Sequence, residues 1–306
     1  TPNIDRIAAQ GVRFTNCYTP DAPCLPSRTA LFSGRTGFHS GVVNHGGTPS
    51  QPFVEGGHRA FRDWFGNNSF ISKLKDNGIY TCTVSPFGDR HSAWWWYAGF
   101  REIINPGKGG MESAEEVSPL AIDWIERRGK EDNWFLHMNF WDPHTPYRAP
   151  EEFGNPFEND PLPAWYTEEV RQQHWQQPGP HSAREIPGWH GKENPRYPRQ
   201  PAQASDMEQA RRMFDGYDCG VRYADEHLGK VLQALENQGV LEDTWIILSA
   251  DHGENLGELN IYGDHQTADQ ITCNIPMVVK LPGVTDGQEG RADDGLLYHF
   301  DIAATI

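Results

Sequence analysis

The chain has 306 residues, a formal charge of −16 at pH 7, 37% hydrophobic residues and a mean hydropathy of −0.68. That length accommodates one large α/β domain or two smaller ones, while the acidity excludes a nucleic-acid groove or an anionic membrane surface, both of which need clustered Lys and Arg. No run of about 18 apolar residues exists to span a membrane, and the cysteines, Cys17, Cys24, Cys82, Cys219 and Cys273, show neither CxxC nor disulfide-scaffold spacing.

In chain order, Thr1-Pro2-Asn3-Ile4-Asp5 opens a short helix with Ile4, Ile7 and Ala8 on one face, stopped by Gly11. Val12 to Tyr18 alternates like a strand. The loop Thr19 to Pro23 then delivers Cys24 to the start of a helix over Ser27 to Phe32, with Ser27 read as a capping residue. Gly34, Gly37, Gly41, Gly46 and Gly47 mark irregular surface chain. A helix follows near Ser69 to Asp76, and Ile79 to Ser85 is a strand rich in β-branched residues. Ser113 to Arg128 is a helix behind a Ser113-x-x-Glu116 capping box. Trp134 to Phe140 is a strand that runs into Trp141-Asp142-Pro143-His144. From Thr145 to Ala204 the chain turns rich in Pro, Gln, Trp and His without a lasting period, which reads as a lid or binding insertion. Ser205 to Asn237 is a long helical stretch with Gly216 and Gly220 as candidate breaks; Thr244 to Ala250 is a buried strand ending in Asp251-His252-Gly253, and Ile275 to Lys280 is another.

This alternation predicts an α/β fold with a mostly parallel sheet sandwiched between helices. We read residues 1–306 as one catalytic domain carrying an insertion at about 145–204. In such sheets the reactive groups gather beyond the carboxyl ends of the strands, and Cys24, His144 and Asp251-His252 all sit just past strands, so they are predicted to converge on one edge. The abrupt start at Thr1-Pro2-Asn3 and the stop in mid-pattern at Ile306 lead us to expect a fragment, truncated at both ends.

Three short stretches carry chemistry. In Cys24-Leu25-Pro26-Ser27-Arg28 a thiol meets a helix N-terminus and a cation, both of which favour its anion and make it a candidate nucleophile. The competing reading is a buried structural cysteine, against which stands the cost of burying Arg28 with no anion to meet it. Asp251-His252 at a strand end is either a pair of hard-metal ligands or a capped turn, and the continuation Gly253-Glu254-Asn255-Leu256-Gly257-Glu258 adds polar density there. His144, with Pro143 and Pro146 on either side, is either a positioned acid, base or oxyanion donor or a surface-loop histidine.

Cys24-Leu25-Pro26-Ser27-Arg28 with Gly34-Arg35, then Pro143-His144-Thr145-Pro146-Tyr147, then Asp251-His252-Gly253-Glu254, in this order, resemble the type I sulfatase family of the alkaline-phosphatase-like superfamily. Thr1-Pro2-Asn3-Ile4-Asp5 and Asp301-Ile302-Ala303-Ala304-Thr305 resemble its framework segments, so the likeness covers nearly the whole chain apart from 145–204. The resemblance implies sulfate-ester hydrolysis by a formylglycine made from Cys24 by a maturation enzyme, its hydrate attacking sulfur and then expelling sulfate. It implies Arg28 as the group holding the hydrate and His144 as a contact to the sulfate or leaving oxygen. It also implies Asp251 and His252 as ligands of calcium, with magnesium or manganese less favoured, and a periplasmic, extracellular or lysosomal-type setting.

The chain departs from the family pattern in several places. The family's remaining metal carboxylates would lie upstream of Thr1. Phe87-Gly88-Asp89-Arg90-His91 stands where Gly-Lys-x-His is usual, which makes Arg90 a substrate-binding and His91 a catalytic candidate. The family lysine before the Ile275 strand falls on Asp264 or His265; His265 is favoured, because an aspartate would repel a sulfate. Trp141 occupies the first position of the His-x-Pro-His pattern and is a substrate-binding candidate. Trp94-Trp95-Trp96, Trp165, Trp175 and Trp189 read either as a sugar-stacking surface or as core, and we expect a sulfated carbohydrate substrate. A phosphonate or phosphate diester hydrolase of the same superfamily, or an inactive binding fragment, are the alternatives.

Overall fold

The computed structural model describes residues 1–54, 63–186 and 191–306. Its helices are α1 (Pro2–Gln10), α2 (Cys24–Ser33), α3 (Gly37–Ser40), α4 (Trp64–Asn68), α5 (Phe70–Asp76), α6 (Phe87–Arg90), α7 (Ala114–Arg128), α8 (Glu168–Gln176), α9 (Met207–Gln238), α10 (Gln270–Cys273) and α11 (Ile302–Thr305). Its strands are β1 (Val12–Tyr18), β2 (Tyr80–Val84), β3 (Glu102–Ile104), β4 (Trp134–Met138), β5 (Ile246–Ser249), β6 (Asn255–Leu256), β7 (Tyr262–Asp264), β8 (Asn274–Lys280), β9 (Arg291–Asp293) and β10 (Leu297–Tyr298). The chain divides into a larger unit, Pro2–Phe140 with Leu228–Gly253 and Gln266–Ile306, and a smaller one, Thr1 with Trp141–His227 and Glu254–His265.

The larger unit is an α/β sandwich. Its five-stranded sheet runs β10-β1-β8-β5, with β9 also on β1. Side chains alternate along the pleat, and the two faces of this sheet collect different cores. Ile246, Leu248 and Val278 pack with Ile7 of α1, Val117, Ala121 and Ile125 of α7, and Leu232 and Leu235 of α9. Ile247, Met277 and Val279 point the other way, into a core with Val12 and Cys17 of β1, Leu31 of α2 and Ile302 of α11. The second sheet, β3-β2-β4, puts Cys82, Val84 and Leu136 into the first of these cores. Phe135 and His137, on the alternate positions of β4, meet Phe70 of α5 and Phe32 of α2 respectively.

The α/β class is as expected, but the strand directions differ between the sheets. β3, β2 and β4 are all parallel, whereas β8 is antiparallel to both β1 and β5. Parallel neighbours need a crossover lying over the sheet face. The segment between β5 and β8 holds only one 3-10 turn, Glu258–Asn260, and the four-residue α10 as helix, and the strand returns antiparallel.

In the smaller unit, Tyr147, Tyr166, Ile186, Met213, Phe214 and Tyr262 form the core. The 145–204 stretch supplies three of these six side chains. α9 is unbroken from Met207 to Gln238, so Gly216 and Gly220 are not the breaks their sequence positions suggested. They serve close packing instead: a Cβ on Gly216 would lie 2.5 Å from the Arg199 carbonyl oxygen, and one on Gly220 would lie 2.9 Å from Pro143 Cα.

Candidate active site

β1 ends at Tyr18, and the following turn places Cys24 as the first residue of α2, one turn earlier than the sequence pattern marks the helix. Cys24 is 2% exposed. Its sulfur lies 3.0 Å from His252 Nε2. The His252 Nδ1 hydrogen is donated to the Gly253 carbonyl oxygen at 2.8 Å; because a carbonyl only accepts, the neutral ring carries its lone pair on Nε2, the nitrogen that faces the sulfur. Cys219 instead accepts from Arg199 Nη1 at 3.4 Å, and Cys273 reaches only the Thr267 carbonyl oxygen at 4.0 Å. Burial pushes Cys17 and Cys82 up to about 12 and raises Cys219 and Cys273, so these thiols stay protonated and inert.

Arg28 sits one turn along α2 from Cys24. Its Nε donates to Asp251 Oδ2 at 2.8 Å, and its guanidinium carbon lies 4.4 Å from the centroid of the Phe87 ring. Burial alone would raise the Asp251 carboxyl; Arg28 and His252 outweigh it and hold the pKa below the ordinary carboxylate value. Ser27 is not a cap. Its hydroxyl donates to the Asp251 carbonyl oxygen at 2.6 Å and accepts from the Thr19 hydroxyl at 3.0 Å, tying the first turn of α2 to the chain just past β5. His299 Nε2 donates to the Ser27 carbonyl oxygen at 2.9 Å.

Asp251 Oδ2 and His252 Nε2 lie 3.7 Å apart, a spacing at which both can reach one cation. The pair is a carboxylate held ionised and an imidazole whose neutral form directs a lone pair from Nε2, so it fits as two donors of a divalent metal's set. Calcium takes six to eight oxygens, roughly, so other groups must complete its shell.

His91 also reaches this group. It closes α6, with its ring 4.6 Å from the Phe87 ring centroid. Burial, then His45, pushes its pKa down to about 3, so the ring is neutral. Arg90 instead turns its Nη1 toward the carbonyl oxygens of Gly109 and Gly110, at 3.3 and 3.5 Å. His45 carries no motif in the sequence, where Gly41, Gly46 and Gly47 around it mark irregular surface chain. It packs on His91 with centroids 4.6 Å apart, and the two border a cavity of about 540 Å³ that Arg90 also lines.

The smaller unit holds a second polar group. The His144 Nδ1 hydrogen is donated to the Thr145 carbonyl oxygen at 2.5 Å, so the neutral ring carries its lone pair on Nε2. Its ring lies 4.8 Å from that of His265 and 5.9 Å from that of Trp141, which is 2% exposed and therefore braces His144 from within the fold. His265 Nδ1 is 3.8 Å from Glu254 Oε2, and the Tyr147 hydroxyl donates to Glu254 Oε1 at 2.8 Å. Burial raises the Glu254 carboxyl, but His265, His144 and Tyr147 together bring it below its usual value. Asp264, the other candidate for the lysine position, lies 3.6 Å from His181.

The tryptophans divide. Trp96 is fully buried among Phe32, Phe87, Phe100 and His137, which makes it core. Trp175 packs against the smaller core. Trp94 and Trp165 are exposed, and Trp189 lies outside the described residues.

Residues 1–306 match the sulfatase family profile. A sulfatase from Formosa agariphila is 26% identical over 94% of this chain and 61% of its own length. A phosphonate monoester hydrolase from Silicibacter pomeroyi superposes with a TM-score of 0.71 at 18% identity, covering 99% of this chain and 66% of the other. A structure solved in complex with its substrate D-glucosamine-2-N,6-O-disulfate superposes with a TM-score of 0.71 at 19% identity, covering 99% and 70%. At such identities the structural likenesses speak to fold alone. The chain spans about three fifths of the length of the curated relatives it matches (61% and 59% for two of them).

Proposed function

The chain belongs to the sulfatase family, and from that premise we propose that it hydrolyses sulfate esters, with a sulfated carbohydrate as the substrate class and Cys24 as the precursor of the reacting group. One observation carries this reading. Cys24 is the cysteine whose sulfur faces a directed imidazole nitrogen, on a helix turn whose Arg28 holds the Asp251 carboxylate. Residues 1–306 act in this reading as one catalytic domain, exported from the cytoplasm. Among the described residues no helix is long and apolar enough to cross a membrane.

The chain's own residues have the following parts. Arg28 brings a cation to within one helical turn of residue 24, where an anionic ester must dock. It is always charged, and the Phe87 ring and Asp251 hold its plane in place. His252 offers a lone pair at residue 24 and, with Asp251, two donors for the divalent metal that the family uses; calcium is the ion we favour. A bound metal would polarise a sulfate oxygen and favour the leaving alkoxide. Formylglycine at position 24, made by the maturation enzyme, would supply a hydrate as nucleophile. His91, neutral and beside residue 24, is suited to hydrogen-bond the reacting group there rather than to carry its proton. His144 and His265 keep the oxyanion-contacting roles that the resemblance implies, supported by the directed Nε2 of His144 and the Glu254 carboxylate beside His265. Trp141 holds the His144 ring rather than stacking on a sugar, and Arg90 is assigned to the substrate side of the cavity it lines.

The test uses the full-length protein from a host with the maturation machinery. We expect sulfate release from sulfated mono- or disaccharides, and a Cys24 peptide whose mass shows the thiol-to-aldehyde change. Fast cleavage of aryl sulfates with no sulfate from any glycan would remove the carbohydrate assignment. Faster turnover of matched phosphonate monoesters would change the reaction class, and an unmodified Cys24 would sink the mechanism.

A further inference from the structure

His45 has no part in the hydrolytic reading, yet it is built into the surroundings of Cys24. Its ring stacks on His91, and donor atoms of Cys24, His45 and His91 all lie within 4.8 Å of one another. Nε2 of His45 and Nε2 of His91 are both buried with no hydrogen-bond partner. A buried polar atom without a partner is uncommon in native structures, and here two occur side by side next to a thiol. Sulfur with two imidazoles is a donor set that zinc-like cations favour and calcium does not.

We propose that the folded chain, while residue 24 is still cysteine, binds a thiophilic divalent cation such as Zn²⁺ through Cys24, His45 and His91. Ligand atoms around a tetrahedral zinc stand about 3.3–3.7 Å apart, so the three need to close by about 1 Å. His45 can supply that movement, since it lies outside regular structure, just before Gly46-Gly47. On binding, the Cys24 S–H bond breaks, its proton passes to solvent, and a sulfur–metal bond forms without any oxidation. The positive charge of Arg28 is met by Asp251 at 2.8 Å, so the thiolate is the charge that faces the incoming ion. Conversion of Cys24 to formylglycine removes the sulfur ligand. Metal at this position therefore marks the unmatured protein. The proposal needs only the cysteine form, so it stands or falls separately from the reaction the mature enzyme performs.

The experiment titrates Co²⁺ into the full chain isolated from a host lacking the maturation machinery, with calcium in excess to fill oxygen-rich sites. A thiolate-to-cobalt charge-transfer band should appear at one equivalent and vanish when Zn²⁺ is added. Cys24→Ser should abolish the band. His45→Ala should weaken cobalt binding by about a hundredfold, since even outer-shell partners of a metal are worth tenfold or more. His45→Asn, which keeps a polar group at the site, repeats that arm if the alanine variant fails to fold by circular dichroism. The matured protein should show no charge-transfer band. Absence of the band in the wild-type cysteine form, or unchanged affinity in a folded His45 variant, overturns the proposal.

Discussion

At the scale of the residue, Arg28 is held by a carboxylate and a ring face at once, with its side chain 12% exposed and that of Asp251 15% exposed. Removing one member of so buried a pair strands the other's charge. Arg28→Ala should therefore destabilise the fold by about 3 kcal/mol or more, read as a lowered urea midpoint, in addition to its effect on turnover. Arg28→Lys should recover little of that loss, because a lysine cannot donate from the Nε position or lie flat on Phe87. If both variants kept the wild-type midpoint, the pair would not be the structural tie described here. The same pair shows how far single residues could be read from sequence. Arg28 in Cys24-Leu25-Pro26-Ser27-Arg28 demanded an anion, and Asp251 was already a candidate for other reasons. That the two are each other's partners rests on a contact across 223 positions of chain.

At the scale of the element, the long helix α9 sets local preference against packing. Alanine is favoured over glycine in a helix interior by about 1 kcal/mol, so propensity alone predicts that Gly216→Ala stabilises the protein. The structure predicts the reverse. The new Cβ would fall 2.5 Å from the Arg199 carbonyl oxygen and 2.8 Å from the Tyr147 ring, and a backbone carbonyl cannot swing aside as a flexible side chain can. Overpacking of this kind costs about 1–3 kcal/mol. A thermal melt of the Gly216→Ala protein should show a lower midpoint; a higher one would mean that the Arg199 segment yields. The long, capped elements were legible in sequence. Ser113 and Glu116 form the expected capping box of α7, and Ile246–Ser249 and Asn274–Lys280 lie within a residue or two of their expected bounds. Short helices such as Gly37–Ser40 and Trp64–Asn68 were not legible, since their few residues carry no period to detect.

At the scale of the whole molecule, burial of neutral histidines governs behaviour in acid. His137 and His91 are both pushed down to about 3, chiefly by burial. Below pH 6.5 the unfolded chain takes up protons at these positions that the folded chain refuses, so stability falls as pH drops from 6.5 towards 3. Each such histidine contributes a slope of up to about 1.4 kcal/mol per pH unit. The carboxylates held below their usual values, Asp251 and Glu254, add their loss only at lower pH. Urea midpoints should thus decline between pH 6.5 and 5, before carboxylates titrate, and His137→Gln should flatten that decline. A midpoint constant from pH 7 to 5 would contradict the burial of these rings.

The sequence by itself determined the α/β class, the family, and the candidacy of Cys24, Arg28, Asp251 and His252, because each rests on residue types at short, fixed spacings where local geometry decides the outcome. The tertiary structure decided the rest. It showed β8 running antiparallel to its neighbours, Trp96 buried in a core, Trp141 buried against His144, Glu254 held beside His265, and His45 set against His91 and Cys24. These depend on contacts between positions tens to hundreds of residues apart, where the free energy of burying a ring or pairing a charge outweighs any preference written in the neighbouring residues.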